Sequence, residues 1–185
     1  MSLAAAALAL ILSASPSAPV RLERLPRLGD LKKAIAPKGR PLLVHVWALW
    51  CPPCLAELPL QVELARKASA LGVDVLFLNL DKFEDEKKVR AYLSEHAALG
   101  VARHVQVSET LDAAAWGRVL QEGWKPVLPA TFLYGADGKA GPAFPDDYTP
   151  KQEAEVLAQL EAMVKASPAH PADVRLEAPK GRPSR

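Results

Sequence analysis

The chain holds two cysteines in 185 residues, and both stand in one short motif, Trp50-Cys51-Pro52-Pro53-Cys54. The motif follows directly on the apolar run Leu42-Leu43-Val44-His45-Val46-Trp47. Such a run, bounded by Pro41, reads as a strand buried on both faces. Beyond the motif, Leu55, Leu58, Val62 and Ala65 recur at helical spacing. The cysteines are therefore expected where a strand ends and a helix begins. There the first thiol meets the positive end of the helix, which stabilises its thiolate. Two thiols with two residues between them can close a small disulfide ring. In this setting the pair points to redox chemistry more than to a structural staple.

Disulfide exchange needs an exposed attacking thiol of low pKa and a second thiol close enough to resolve the mixed disulfide. Cys51, at the helix start, is expected to be exposed and to attack. Cys54, one turn inward, is expected to be shielded and to resolve. Pro52 and Pro53 stiffen the loop and remove backbone donors that would otherwise solvate the sulfur. A passive disulfide and half of a zinc site are the other readings of such a pair. Zinc needs two further ligands, and the sequence has no second Cys-x-x-Cys and no His-x-x-x-His. No metal and no organic cofactor are expected.

Half of the residues are apolar and 24% are charged, which suits one folded domain with a proper core. Net charge is only +2, and no basic cluster interleaves with aromatics, so nucleic acid is excluded as a partner. A pair of cysteines is too few for a disulfide-rich framework. Residues 3–12 form a short apolar run, followed by Ser13-Ala14-Ser15-Pro16-Ser17-Ala18. Residues 1–18 thus read as a secretory signal with a small-residue cleavage zone, although Met1-Ser2 lacks the usual basic charge. The alternative is an apolar N-terminal helix on a cytoplasmic protein. The run is too short to span a bilayer comfortably, and no cysteine stands near it to carry a lipid. Residues 167–185, with Pro168, Pro171, Pro179 and Pro183, read as a flexible tail. The folded domain is expected over residues 21–166.

Within that domain strand and helix signals alternate. Pro59 is expected to interrupt and kink the helix that follows the cysteines. A second buried strand is expected over 73–80 and a charged amphipathic helix over 84–97, with Val89, Leu93 and Ala97 inward. A short strand over 101–107 and a helix over 109–121 come next. Strands at 131–134 and 139–143 are joined by the turn Asp137-Gly138. Thr149-Pro150-Lys151-Gln152 is a capping box with proline at the first helical position, and Val156, Leu157, Leu160 and Val164 face inward beyond it. This order implies an α/β fold with a mixed central sheet, helices on both faces and the site at the strand tips.

Val46-Trp47-Ala48-Leu49-Trp50-Cys51-Pro52-Pro53-Cys54, then Glu57-Leu58-Pro59, resembles the thioredoxin superfamily, specifically its TlpA/ResA-like branch of exported thiol–disulfide oxidoreductases. The likeness extends to Asn79-Leu80-Asp81, Leu128-Pro129-Ala130-Thr131-Phe132-Leu133 and Asp137-Gly138-Lys139, and covers most of residues 30–165. It implies a thioredoxin-like fold in which Pro129 is a cis-proline facing the cysteine pair. The Leu128 backbone would then offer strand-like hydrogen bonds to a substrate chain. Pro59 matches the helix-kinking proline. Glu57 matches a glutamate that lies partly buried near the thiols and tunes their protonation; a solvated helix carboxylate is the alternative. Trp50 would pack beside Cys51 as substrate surface.

Two positions depart from the pattern. His45 stands six residues before Cys51, where thioredoxins carry a buried Asp and this branch often Asn. It is either a proton relay to Cys54 or a neutral core histidine. Ala130 replaces the usual Thr after the cis-proline. The implied function is reduction of disulfides in exported proteins, for example apocytochrome c, with a membrane thiol donor recharging Cys51 and Cys54. A monomer outside the cytoplasm is expected. A peroxiredoxin-like peroxidase and a non-catalytic thioredoxin-like binding module are the rivals. The first is weakened by Leu49 and Trp50 where a Thr would precede the peroxidatic cysteine.

Overall fold

The computed structural model describes residues 22–107, 112–145 and 148–167. Two short elements come first, β1 (Leu22–Leu25) and α1 (Leu28–Ala34). Strand β2 (Leu42–Trp47) and helix α2 (Pro52–Ala70) then flank the cysteine motif as expected. They are followed by β3 (Asp74–Asn79), a 3-10 turn (Phe83–Asp85), α3 (Glu86–Glu95) and β4 (Arg103–Val107). Helix α4 (Ala113–Leu120), the hairpin β5 (Ala130–Tyr134) and β6 (Ala140–Pro145), and α5 (Pro150–Ala166) complete the chain.

The six strands form one sheet in the order β1-β4-β3-β2-β5-β6. The first four are parallel, and β5 and β6 run against them. Every residue of β2 is buried, because helices cover both faces of the sheet. On one face Leu43, Trp47 and Phe77 pack with Leu58, Val62, Leu93 and Leu160, which brings in α2, α3 and α5. On the other, Val44, Val46 and Leu78 pack with Leu31, Trp116 and Leu120 of α1 and α4. This is the expected thioredoxin-like architecture.

Several details differ from expectation. Strand β1 and helix α1 carry weak signals: only Leu22 and Leu25 of the strand are buried, around exposed Glu23 and Arg24, and α1 has no side-chain cap. The helix expected over 84–97 starts as the 3-10 turn and stops at Glu95, with Ala97 at φ 52. Ala97 is therefore not part of its inner face. The expected helix start at 109 lies outside the described residues; α4 begins at Ala113, with Asp112 accepting from the Ala115 N–H at 3.0 Å. The proposed signal and all of the tail beyond residue 167 also lie outside them. At the C-terminal helix the capping reading holds: Thr149 Oγ1 accepts from the Gln152 N–H, and Pro150 opens α5.

Helix α2 runs through Pro59 without ending. A proline there cannot donate to the Leu55 carbonyl four residues back. The Tyr92 hydroxyl of α3 donates to that carbonyl instead, at 3.1 Å. The helix thus keeps its length because a neighbouring helix supplies the missing donor.

Candidate active site

Cys51 is the N-cap of α2 and is joined to Cys54 by a disulfide, with the two Cα atoms 5.3 Å apart. The Cys54 N–H donates to Cys51 Sγ at 3.3 Å. Pro52 and Pro53 fill the first two helical positions, and no acidic residue stands in the first turn to oppose a thiolate. Cys54 is shielded as expected, at 0% exposed, but Cys51 is buried as well, at 5%, so the expected exposure of the attacking thiol is not observed. Its side chain belongs to the same packed cluster as Trp47 and Leu58, and Leu128 packs against that cluster. The exposed member of the motif is Trp50, at 63%.

The Leu128–Pro129 peptide bond is cis, as the sequence implied. Ala130 pairs with Val46 across the sheet, so Pro129 stands at the same end of the sheet as Trp47 and the cysteine motif. The loop leading to it is anchored by aromatic packing. Trp124 lies 5.0 Å edge-on from Phe132 and 5.6 Å from Trp116 on α4. Val127, two residues before Pro129, is exposed.

A polar clamp holds the other side of the motif. Asp81 is buried just after β3, and its Oδ2 accepts from the Leu49 N–H at 2.8 Å and from Asn79 Nδ2 at 2.7 Å. Asn79 Oδ1 in turn accepts from the Asp81 N–H. Gln106 of β4 is fully buried and donates through Nε2 to the carbonyls of Asp81 and Lys82. Burial pushes the Asp81 carboxyl above its ordinary value, against the pull of these donors. Asn79 and Asp81 were visible in the sequence as part of the resemblance, but their role was not. The signal was a polar pair closing an otherwise apolar strand. Nothing in the sequence marked Gln106.

Glu57 is buried, at 8% exposure, and its Oε1 accepts from the Tyr148 N–H at 2.8 Å. The solvated alternative for this carboxylate is thereby set aside. Its tie to Tyr148, just ahead of α5, could not be read from spacing along α2. Burial, with Glu153 and Glu57 nearby, raises the Tyr148 hydroxyl well above its ordinary value.

His45 is completely buried on the same sheet face as the cysteines. Its Nδ1 lies 3.2 Å from Thr131 Oγ1, and its Nε2 has no hydrogen-bond partner. Sheet register sets Thr131, His45, Phe77 and His104 in one row across four strands, with ring centroids 5.4 and 5.3 Å apart along the His-Phe-His part. Burial pushes His45 down to about 3 and His104 downward as well. Both rings are therefore neutral near pH 7.

Comparison with known proteins agrees with this geometry. The redoxin family model matches residues 20–158. A thiol:disulfide interchange protein DsbE homolog of Paracoccus denitrificans is 35% identical over 112 residues, 58% of this chain and 54% of that protein. The thiol:disulfide interchange protein DsbE of Vibrio cholerae is 32% identical over 146 residues, 76% of this chain and 68% of that protein. The chain thus spans about half of the first relative's length and two thirds of the second's. Among solved structures, a secreted thiol-disulfide isomerase from Corynebacterium glutamicum superposes with a TM-score of 0.54 at 18% identity, covering 69% of this chain and 72% of that one. That likeness concerns the fold. The chain belongs to the redoxin family, within the thioredoxin superfamily.

Proposed function

We propose that this chain is a thiol–disulfide oxidoreductase that reduces disulfides of exported proteins, apocytochrome c being one candidate. The observation that supports it most is the cysteine pair itself: bonded to each other at the N-terminus of α2, Cys51 outermost, with the cis Leu128–Pro129 segment at the same end of the sheet. The relatives named for thiol:disulfide interchange favour the same chemistry. The apolar run at residues 3–12 favours export.

In the reduced enzyme the Cys51 thiolate attacks one sulfur of a substrate disulfide. A Cys51–substrate disulfide forms and the other substrate sulfur leaves as a thiolate. Cys54, deprotonated, then attacks Cys51 Sγ. The second substrate thiol is released and the Cys51–Cys54 bond closes, two electrons having passed to the substrate. A membrane thiol donor returns those electrons. Trp50 and the Leu128–Pro129 backbone hold the substrate chain. Glu57 tunes the protonation of the pair, while the burial that keeps His45 neutral favours the core-histidine reading over the proton relay to Cys54. The enzyme acts as a monomer.

The test is a trap. With Cys54→Ser expressed in the native host, Cys51 should accumulate mixed disulfides with exported proteins that carry paired cysteines. Cys51→Ser should trap none. Adducts on neither variant would defeat the exchange reaction, and cytoplasmic clients alone would defeat the exported setting.

A further inference from the structure

Given the exchange reaction proposed above, we propose that Trp124, lying against Gly117 of α4, is a positioning residue. It holds the Leu128–Pro129 segment in line for an extended substrate chain, so the enzyme favours disulfides carried on polypeptide over small soluble ones. Residues 121–129 connect α4 to β5 and end in the cis bond. Pro126 and Pro129 have no N–H to donate. Among the described residues, the backbone N–H and carbonyl groups of Val127 and Leu128 have no hydrogen-bond partner. Val127 is exposed and Leu128 half-buried. An extended chain can pair with backbone groups left open in this way. The same openness means that no ladder bond fixes where those groups stand.

Packing fixes them instead. A Cβ on Gly117 would stand 3.4 Å from Pro126 Cγ and 3.5 Å from Trp124 Cε3, so the absent side chain lets the connection lie directly on the helix. Glycine weakens a helix interior, and Gly117 is buried inside one, which points to a packing reason for it. The Trp124 ring meets Trp116 of α4 at 5.6 Å and Phe132 of β5 at 5.0 Å, and so bridges the two elements that the connection joins. Leu128 packs against the same buried cluster as Trp124. The base is itself tied together. The Tyr134 hydroxyl of β5 donates to the Leu120 carbonyl at the end of α4, at 2.7 Å. The Trp124 N–H donates to the Gln121 carbonyl at 3.2 Å and closes the turn by which the connection leaves the helix.

The consequence depends on the size of the substrate. A small disulfide needs only to reach Cys51 Sγ. A polypeptide must also align its backbone with Val127 and Leu128 while its sulfur meets Cys51. Ordering a loose segment on arrival would subtract from the binding of that chain. Trp124 keeps the segment ordered before the substrate arrives. The attack by Cys51 and the closing of the Cys51–Cys54 bond do not involve this ring. Its loss therefore weakens the binding of a chain and leaves the sulfur chemistry unchanged.

The test is single-turnover kinetics of the full-length, pre-reduced protein. The probes are hydroxyethyl disulfide and a synthetic peptide of about 15 residues closed by one disulfide, long enough to lie along the segment as a strand. Trp124→Leu should raise the peptide concentration that gives half the limiting rate about tenfold, with the limiting rate itself unchanged. Its rate with hydroxyethyl disulfide and the pH profile of Cys51 alkylation should stay within about twofold of the parent's. Trp124→Phe keeps an aromatic ring and should recover most of the loss. Gly117→Leu favours the helix but fills the space beneath the ring, and should reproduce the Trp124→Leu pattern, so the result does not depend on the folding of one variant. An unchanged peptide half-saturation in these two variants would overturn the proposal. So would an equal loss with both probes, or a parent that reduces hydroxyethyl disulfide but not the peptide. A parent inert toward both probes defeats the exchange reaction itself, so the two failures are told apart.

Discussion

Asp81 shows how much a single side chain can settle near a reactive motif. One carboxylate oxygen accepts from the Leu49 backbone, two residues before Cys51, and from the Asn79 amide. Asp81→Ala leaves the buried Asn79 amide and the part-buried Leu49 N–H without this acceptor, which should cost about 2 kcal/mol in urea unfolding. Asp81→Asn keeps a carbonyl oxygen in place and should cost less. An equal loss for the two variants would mean that size, not hydrogen bonding, matters at this position. The cysteines, Pro129 and Glu57 were all legible as residues. What was illegible was the partner each would meet: Tyr148 for Glu57, ninety-one positions away, and Thr131 for His45, eighty-six away. Spacing along a chain reports neighbours within one element and nothing about contacts across the sheet.

Helix α2 illustrates the same limit for an element. The sequence predicts its start, its inward face and a disturbance at Pro59. It does not predict that α3 places a hydroxyl where the proline leaves a carbonyl unpaired. Removing that hydroxyl with Tyr92→Phe should cost about 1 kcal/mol. In the background of Pro59→Ala, where a backbone N–H again reaches Leu55, the same change should be close to neutral. Urea unfolding of the two single variants and the double variant measures this coupling. Additive effects would show that Tyr92 does not replace the missing donor. The short elements β1 and α1 escaped the sequence reading for a related reason. Their four and seven residues bury few side chains of their own, and they persist through the sheet and helix they lean on.

For the whole molecule, the two neutral histidines His45 and His104, in one row on the sheet face where the cysteines pack, tie stability to pH. His45 titrates near 3 in the fold and near 6.5 when unfolded. Between those values the unfolded chain binds a proton that the folded one refuses, so stability is full above pH 6.5 and is lost as pH falls. At pH 5 the loss from His45 is about 2 kcal/mol, and His104 acts in the same direction. Urea midpoints at pH 7.5 and pH 5 should separate further for the parent than for His45→Asn, which cannot take up that proton. Identical pH sensitivity in the two would show that His45 is protonated in the fold.

By itself, the order of apolar and polar residues determined the α/β class, the strand-to-helix placement of Cys51 and Cys54, and the cap of the last helix. These depend on local periodicity, on proline chemistry and on motif spacing, all of which act over a few residues. Only the tertiary structure decided that Cys51 is nearly covered, that Glu57 is buried, and that Asp81 and Gln106 brace the loop before the cysteines. Burial and charge distribution are properties of surfaces assembled from distant segments, and those surfaces exist only once the sheet has set the register of its strands.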